Sequence, residues 1–265
     1  MTLIQIIILA IVQGITEFLP VSSSGHLVLV PKLIGWKDQG IIFDIAVHLG
    51  SLGAVCIYFR GDIVKLFVSF SKLLTFKGEK ESSDLLFLLL IATLPAAIVG
   101  FFSAEWIEMY ARNPLVIAFT LCFYGLLMLI ADKKGKKEVT INEISYSDAL
   151  VIGLAQVLAL IPGTSRSGVT MTAGLFLGMK RFDAAKFSFL MSVPVIILAS
   201  AYKLLVIFLE NIYVNWGELF LGMLVSMCVA YASIGFFMSV IQRVGFIPFF
   251  IYRVILSVII IWVFF

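Results

Sequence analysis

Six long runs of apolar residues, with few charges inside them, set the strongest limit on what this chain can fold into. Each run is long enough to cross a bilayer as a helix, which takes roughly 20 residues. The runs lie at about 41–59, 85–103, 114–131, 184–209, 217–240 and 248–265. With 62% hydrophobic and 13% charged residues, the chain lies far outside the range of soluble globular proteins. We therefore predict an all-α polytopic membrane protein with six transmembrane helices.

Two further apolar regions, 2–34 and 149–179, are each divided by polar residues into halves too short to cross a membrane. The first polar string, Gln13 to His26, has the sequence QGITEFLPVSSSGH. The second polar string, Gln156 to Gly168, has the sequence QVLALIPGTSRSG. Irregular backbone at membrane depth is tolerated only where protein buries it or where it lines a wet cavity. Each region is therefore predicted to be a re-entrant helix pair.

The two halves of the chain share one order of elements, a re-entrant pair followed by three spans. Residues 1–131 form the predicted N-terminal repeat and 149–265 the C-terminal repeat, joined by a charged cytoplasmic linker at 132–148. Within the polar strings, Ser22 matches Ser165 at the same offset. Because three crossings place the second repeat on the opposite side, the repeats are predicted to be inverted. That topology brings both polar strings together near the midplane of a single membrane domain.

Basic residues in the loops predict the orientation, because cytoplasmic loops carry an excess of Lys and Arg. One membrane face would hold Arg60, Lys65, Lys72, Lys77, Lys80, Lys133, Lys134, Lys136, Lys137, Lys180, Arg181 and Arg243. The opposite face would hold Lys32, Lys37 and Arg112. We therefore expect both termini, and the mouth of the first re-entrant pair, on the outer face. The start of the chain lacks the basic segment of a signal peptide, so we expect it to be retained.

Other features of the sequence narrow the expected partners. A net charge of +3 with no basic stripe argues against nucleic acid and leaves membrane lipids as the surroundings. Cys56, Cys122 and Cys228 lie in apolar stretches without metal-ligand spacing, so they are interpreted as core or lipid-facing residues. The small residues Gly50, Ser51 and Gly53 predict a helix interface, either within the chain or between two copies in a homodimer.

The first polar string carries a carboxylate, Glu17, four residues after Gln13. On a helix, side chains four apart share one face. Two such oxygen ligands, together with substrate phosphate oxygens and water, suit a hard divalent cation such as Mg²⁺ or Ca²⁺. The alternative is that Glu17 caps or pairs locally. A carboxylate at membrane depth is costly and usually functional.

The same string ends in three hydroxyls and an imidazole, from Ser22, Ser23, Ser24 and His26. A helix beginning near Ser24 would offer its free N–H groups and its dipole to a phosphate. His26 is then a candidate general base or acid near neutral pH. The alternative is that Ser24 only caps the helix and His26 fills a polar pocket.

The second polar string offers the same kind of anion site with a guanidinium added. The candidate substrate-binding residues are Gly163, Thr164, Ser165 and Ser167, and Arg166 is the candidate phosphate clamp. Arginine grips phosphate through two parallel hydrogen bonds and does not lose its charge. Three possibilities for its partner remain open: Glu17, a diphosphate, or both in alternation.

The remaining ionisable residues in the spans have plainer interpretations. His48 lies among small residues and is interpreted as a hydrogen-bonding residue in helix packing. Lys186, Lys203 and Arg253 are interpreted as side chains that snorkel or form pairs near helix ends.

Together, QGITEFLPVSSSGH and PGTSRSG resemble the motifs of the bacterial undecaprenyl-diphosphate phosphatases, the bacitracin-resistance family. The resemblance covers essentially the whole chain. It implies an inner-membrane hydrolase that converts the C55 lipid diphosphate to the monophosphate and inorganic phosphate, recycling the carrier for cell-wall synthesis. It implies a site open toward the outer face. It places the acidic motif on Gln13 and Glu17, the Ser-His element on Ser23 and His26, and the arginine on Arg166. Gln13 is the neutral variant that the family allows, which weakens schemes with two carboxylates on the metal.

Several alternatives remain beside this interpretation. Acid-phosphatase-like lipid phosphatases need a second histidine after the arginine, and none follows Arg166. Broken helices in inverted repeats also occur in secondary transporters, so a polyprenyl-phosphate flippase without hydrolysis is the main rival. A channel is disfavoured because the chain has no charge rings. Sequence leaves open whether Ser23 becomes a phosphoserine or a water attacks directly.

Overall fold

The computed structural model describes residues 1–74, 84–110, 113–209 and 215–264. In those ranges the secondary structure is helical, apart from an isolated bridge between Val139 and Met179. The helices are α1 (Leu3–Thr16), α2 (Ser23–Ile34), α3 (Ile41–Tyr58), α4 (Arg60–Leu74), α5 (Asp84–Tyr110), α6 (Pro114–Lys134), α7 (Tyr146–Val157), α8 (Arg166–Phe176), α9 (Arg181–Leu209), α10 (Trp216–Val244) and α11 (Ile247–Phe264). A short 3₁₀ turn, Leu158–Leu160, extends α7.

Among the described residues, six helices are long and apolar enough to cross a membrane, which confirms the predicted fold class. The apolar spans are Ile41–Tyr58, Asp84–Ser103, Pro114–Lys134, Arg181–Leu205, Trp216–Val244 and Ile247–Phe264. The pairs α1–α2 and α7–α8 consist of helices too short to span. Their re-entrant passage, the repeat boundaries and the orientation stay predictions. Lys77, Lys80 and Arg112, which entered the orientation argument, lie outside the described residues.

Local sequence explains where several helices begin and end. Thr2 and Gln5 form a capping box at the start of α1, and Ser145 and Asp148 form another at the start of α7. α2 ends at Gly35, whose φ of 73° is the left-handed conformation that glycine adopts without steric cost. The short helices are therefore delimited by sequence signals on their outer ends, and by the two polar strings on their inner ends.

Close packing of α3 against α10 accounts for the small residues at 50–53. A Cβ built on Gly50 would overlap the backbone carbonyl oxygen of Met223, so only glycine permits this approach. The hydroxyls of Ser51 and Ser226 lie 3.1 Å apart across the same contact. Of the two predicted alternatives, the interface within the chain is confirmed for this segment, and a homodimer stays a prediction.

A buried aromatic core lies directly beside the polar strings. Phe18, the neighbour of Glu17, is fully buried and packs edge-on against Phe189 of α9 at 5.1 Å between ring centroids. Phe237 of α10 packs against Phe189, and Phe246 packs against Phe237, so the aromatic cluster extends beyond Phe18. The polar strings are thus held against a rigid apolar core, which fixes the places at which their side chains emerge.

Two ion pairs tie the helices together away from the polar strings. Arg181, at the start of α9, donates Nε–H to Asp132 Oδ1 at 2.6 Å and Nη2–H to Asp132 Oδ2 at 2.9 Å. Lys186 pairs with Asp62 at 2.9 Å, which confirms the interpretation of Lys186 as a paired residue near a helix end. Both pairs lie on the face predicted to be cytoplasmic.

Candidate active site

The two polar strings make the same turn before their second helices. Ser22 precedes α2 with φ 72° and ψ 91°, and Ser165 precedes α8 with φ 70° and ψ 111°. A positive φ at a non-glycine residue is uncommon and costs on the order of 1–3 kcal/mol, so such turns cluster at functional sites. The hydroxyls of Ser22 and Ser24 lie 3.3 Å apart, and those of Ser165 and Ser167 repeat that distance. The local geometry is consistent with the predicted repeat.

A buried carboxylate, Glu17, joins the two strings. Glu17 is the C-terminal capping residue of α1, and the residue is only 7% exposed. Oε1 accepts a hydrogen bond from Arg166 Nη2 at 2.8 Å, and Oε2 accepts one from Ser23 Oγ at 2.7 Å and one from Gln13 Nε2 at 3.0 Å. The structure therefore brings together four predicted site residues, three from the first string and Arg166 from the second. In this state Arg166 has Glu17 as its partner.

Arg166 is held in a fixed orientation by more than its carboxylate. Its Nη1 donates to the backbone oxygen of Ser188 in α9 at 3.0 Å, and the guanidinium carbon lies 5.9 Å from the centroid of the Phe18 ring. Arg166 also occupies the first turn of α8, where free N–H groups and the helix dipole favour an anion. This part of the site therefore presents positive charge that is already oriented.

His48 belongs to this site, which sequence reasoning missed. Its Nδ1 lies 2.6 Å from the backbone oxygen of Asp44, as expected of a hydrogen-bonding helix residue. Its Nε2, however, lies 3.5 Å from Glu17 Oε2. Interpreting His48 as a packing residue was therefore incomplete. The one available signal was an ionisable side chain inside an apolar span, a frequent mark of function.

The structure places His26 against Ser22 and Tyr252, and not against Ser23 or Glu17. Its Nδ1 lies 2.7 Å from the backbone oxygen of Ser22, which can only accept, so Nδ1 carries the proton. Its Nε2 then accepts from the hydroxyl of Tyr252 at 2.5 Å, and the two rings stack at 5.6 Å. Within the described residues, His26 forms no hydrogen bond with Ser23 or Glu17. Tyr252, in α11, is a second residue that sequence reasoning did not identify.

Arg253 corrects another sequence interpretation. Far from snorkelling at a helix end, it is fully buried, and its guanidinium donates only to backbone carbonyl oxygens among the described residues. Two of the acceptors belong to Gly163 and Thr164, which were predicted to bind substrate. Their carbonyl oxygens therefore face Arg253. Hydrophobic periodicity could not predict these contacts, because it shows which residues share a helix face but not which segment packs against that face.

Other predicted substrate-binding residues have mixed placements. Ser167 Oγ donates to the backbone oxygen of Leu19 at 3.2 Å, linking the two strings. Ser165 Oγ accepts from the N–H of Gly168 at 3.2 Å and so caps α8. Ser24 lines a cavity, and the buried Thr164 hydroxyl has no hydrogen-bond partner in the described part of the chain. Ser24 is thus the member of this set that faces open space.

That cavity has a volume of about 660 Å³ and reaches the candidate site. Polar groups in its wall come from the following residues: Ser24, Asp44, His48, Thr93, Gln156, Arg166, Tyr202 and Lys203. Most of the remaining lining is apolar and comes from α2, α5, the 3₁₀ turn and α9: Leu27, Val28, Ala96, Ala97, Phe101, Ala159, Leu160, Val195, Leu198 and Ala199. Asp38 and Gln39, in the loop before α3, line it as well. A cavity with an apolar wall and a cationic group suits an amphipathic anion.

The site offers few protein oxygens to a divalent cation. Among the described residues, no group of three or more His, Cys, Asp or Glu side chains could hold a metal. Gln13 Oε1 is buried and has no hydrogen-bond partner in the described ranges, and it lies on the same side chain whose amide nitrogen contacts Glu17. Mg²⁺ commonly takes one or two protein oxygens and completes its shell with phosphate and water. These residues therefore fit a cation shared with a phosphate substrate, and not one held by protein alone.

Comparison with known proteins gives a full-length match. The family described as "Bacitracin resistance protein BacA" matches residues 6–259. An undecaprenyl-diphosphatase of Alteromonas mediterranea is 50% identical over 262 residues, covering 99% of this chain and 98% of the relative. One of Teredinibacter turnerae is 48% identical over 258 residues, covering 97% and 98%. Undecaprenyl-diphosphatase 1 of Pseudoalteromonas translucida is 47% identical over 258 residues, covering 97% of each chain.

Proposed function

This chain belongs to the BacA bacitracin-resistance family, and we propose that it hydrolyses undecaprenyl diphosphate to undecaprenyl phosphate and inorganic phosphate. The relatives named above carry that activity in their names. The observation in the structure that best supports the proposal is the partly buried contact of Ser23, Glu17 and Arg166. It joins the proposed nucleophile, proton acceptor and phosphate clamp, and of these three residues Arg166 lines the largely apolar cavity. The reaction recycles the lipid carrier used in cell-wall synthesis.

Substrate binding begins, in this proposal, with an exchange of partners at Arg166. The lipid chain occupies the apolar part of the cavity while the diphosphate approaches Arg166 and the first turn of α8. The guanidinium then turns from Glu17 to the terminal phosphate, where its fork matches the phosphate oxygens. Stabilising the charge on the transferring phosphoryl group is the main catalytic requirement of this chemistry. The exchange also frees a Glu17 oxygen.

Ser23 is the proposed nucleophile. Its Oγ attacks the terminal phosphorus, the bond from that phosphorus to the bridging oxygen breaks, and undecaprenyl phosphate leaves. The Ser23 proton passes to Glu17 Oε2, which already accepts it in a 2.7 Å hydrogen bond. Water then attacks the phosphoserine, inorganic phosphate leaves, and the proton returns to Ser23. Trapping a phosphorylated Ser23 by rapid quenching supports this route, and its absence during turnover supports direct attack by water.

These contacts favour Glu17 over His26 as the group that takes the Ser23 proton. His26 as general base, the role suggested by the motif, requires its Nε2 to leave Tyr252. In its present position His26 holds the carbonyl of Ser22 and so supports the turn that presents Ser23. His48 lies 3.5 Å from Glu17 Oε2, the oxygen that accepts from Ser23, and it lines the cavity, where it can orient the carboxylate.

The proposal includes a divalent cation, Mg²⁺ or Ca²⁺, bound together with the substrate. Gln13 Oε1 and Glu17 would hold it, and it would supply further neutralisation of the diphosphate charge. Gln13 is neutral, so the protein provides one carboxylate and the substrate provides the remaining anionic oxygens. Activity is therefore expected to fall on addition of a chelator and to return with the cation.

We further propose the bacterial inner membrane as the location, with both termini and the mouth of the cavity on the outer face. The excess of basic residues on the opposite face supports this orientation. Labelling of single cysteines placed near the cavity mouth, with a membrane-impermeant thiol reagent on intact cells, tests it. Labelling of the linker at 132–148 under the same conditions would reverse the assignment.

One assay separates hydrolysis from the rival function, transport without cleavage. Purified protein in detergent, given undecaprenyl diphosphate, is expected to release inorganic phosphate, and the release should disappear in Ser23→Ala. Ser239→Ala is a matched control, because that exposed hydroxyl bonds only to its own helix, at Phe236, among the described residues. Absence of phosphate release by well-folded protein, with lipid movement retained in vesicles, would favour the transporter.

A further inference from the structure

Arg253 is a fully buried cation that the mechanism above does not use. It lies in α11, and within the described residues it has no carboxylate in ion-pair contact. Burying a charge without an anionic partner is costly unless hydrogen bonds compensate for the lost water. The chain nonetheless makes room for this side chain. A Cβ on Gly125 would lie 3.2 Å from Arg253 Nε, and one on Gly168 would lie 3.1 Å from Nη1.

The hydrogen bonds of Arg253 connect three separate parts of the chain. Nη1 donates to Pro20 O of the first polar string at 3.3 Å. Nη2 donates to Gly163 O and Thr164 O of the second polar string at 3.0 and 2.9 Å. The remaining donations reach α6, at Leu121 O (2.8 Å) and Thr120 O (3.3 Å). Hydrogen bonds from a charged donor are roughly twice as strong as neutral ones, so this link is firm.

The acceptors stand next to the reacting groups of each string. Pro20 lies between Glu17 and Ser23, and Thr164 is two residues before Arg166. A side chain of α6 adds a parallel link, since Thr120 Oγ1 donates to Pro162 O at 2.8 Å. One guanidinium therefore fixes the backbone of the nucleophile side relative to the backbone of the clamp side.

Besides the neutral hydrogen bond from Ser167 Oγ to Leu19 O, the two strings need a link that persists when the Arg166–Glu17 pair opens. In the present structure the strings are also joined by the Arg166–Glu17 ion pair. Under the proposed function that pair gives way when Arg166 turns to the phosphate. A link made only to backbone carbonyls, and away from the substrate, persists through that exchange.

We propose that Arg253 is a positioning residue that keeps the two polar strings in register while Arg166 changes partner. The inference rests on the proposed function for its kinetic part and on geometry alone for its structural part. Arg253 has no contact with substrate in this scheme, so it acts through the placement of Ser23, Glu17 and Arg166. A displacement of about 1 Å at such groups can cost on the order of 10²-fold in rate.

Arg253→Lys is the main kinetic test. Lysine keeps the charge but has no planar fork, so it cannot serve both strings and α6 at once. We expect kcat to fall by roughly 10²-fold with KM within about threefold, because the loss concerns placement in the transition state and not binding. Gly125→Ala, which pushes on Arg253 without removing it, should lower kcat in the same way but less.

The matched control is Arg181→Lys. Arg181 is also an arginine held by a multidentate contact, but it binds Asp132 and, within the described ranges, has no hydrogen bond or ion pair with the polar strings. We expect this variant to lose thermal stability while its kcat stays within about threefold. Equal loss of kcat in the two lysine variants, in proportion to their loss of stability, would overturn the proposal. A raised KM with unchanged kcat for Arg253→Lys would also overturn it.

A distance measurement tests the structural part without any activity. Spin labels at Ile34 and Phe176, both about half exposed, report the separation of α2 and α8 in a background lacking the three native cysteines. We expect one narrow distance distribution in the parent protein and a broadened or shifted one with Arg253→Lys. An unchanged distribution contradicts the proposal even if the variant is inactive. If the parent protein itself has no phosphatase activity, a distribution that changes with Arg253→Lys would support the structural link and refute the proposed function.

Discussion

Replacing Arg166 by alanine is the most decisive single perturbation of this site. The guanidinium is already oriented, with Nη2 on Glu17 at 2.8 Å and Nη1 on the Ser188 carbonyl at 3.0 Å. Little reorganisation is then needed when phosphate arrives, which is the condition under which a charged clamp contributes most. Arginine clamps of this kind are worth about 10³- to 10⁵-fold in rate. We expect Arg166→Ala to lower kcat/KM at least ~10³-fold, equivalent to about 4 kcal/mol of transition-state stabilisation.

The same substitution should also destabilise the fold, which the assay must separate from the kinetic loss. Removing one member of a buried ion pair leaves the other charge unpaired and typically costs about 3–5 kcal/mol. Glu17 keeps hydrogen bonds from Ser23 and Gln13, so we expect the lower end of that range. The double variant Arg166→Ala/Glu17→Gln removes both charges. It should regain at least ~1.5 kcal/mol of stability relative to Arg166→Ala, yet stay inactive.

Phosphate release and thermal unfolding, measured on the same detergent-purified samples, decide the matter. Arg181→Ala is the control, because it breaks the ion pair with Asp132 away from the polar strings. It should lower the melting temperature while leaving kcat/KM of the folded fraction within a few fold. Loss of less than tenfold in Arg166→Ala would return Arg166 to a purely structural role. Recovery of activity in the double variant would show that an unpaired Glu17, and not a missing clamp, causes the defect.

Other outcomes follow from the same contacts. Glu17→Gln is expected to lower kcat by about 10²- to 10⁴-fold and to abolish the dependence of activity on the cation, measured by phosphate release at graded cation concentrations. The control Glu218→Gln, at the protein surface, should change neither quantity. A normal cation dependence in Glu17→Gln would place the cation elsewhere. Gly50→Ala should cost about 1–3 kcal/mol of stability through overlap with α10, and an unchanged melting temperature would contradict the packing described. If His26 is the base, His26→Ala loses the near-neutral limb of the pH–rate profile. If it only supports the Ser22 turn, the profile keeps its shape at lower amplitude, and Tyr252→Phe gives the same pattern in milder form.

Sequence alone predicted much of this architecture because the bilayer allows few solutions. Apolar runs of spanning length must be helices, and the confirmed spans agree with the runs to within a few residues. The convergence of Glu17 and Arg166 was also predictable, because a lone cation and a lone anion at membrane depth each need a partner. That argument depends on the cost of burial and needs no knowledge of helix packing.

The roles of Arg253, His48 and Tyr252 could not be predicted in the same way. Each lies in an apolar span whose sequence shows which residues share a face but not which helix that face meets. Arg253 was expected near a helix end, and its carbonyl partners belong to segments about 90 to 230 residues away. Every residue type carries a backbone carbonyl. The sequence of the polar strings therefore does not indicate which of their carbonyls accept hydrogen bonds from a buried arginine.

The two serine turns show how a repeated backbone can carry different chemistry. Ser22 and Ser165 have nearly the same φ, and the residue that follows each is the first of its helix. In the first string that residue is Ser23, the proposed nucleophile, and in the second it is Arg166, the proposed phosphate clamp, so the two groups occupy equivalent backbone positions. Both side chains reach Glu17, one at each carboxylate oxygen. If the turns serve this division, exchanging the two residues in a Ser23→Arg/Arg166→Ser variant would keep the same groups at the site but abolish activity. Only Ser23 lies on the Oε2 side with Gln13 and His48, where the proposed mechanism places the proton transfer and the cation.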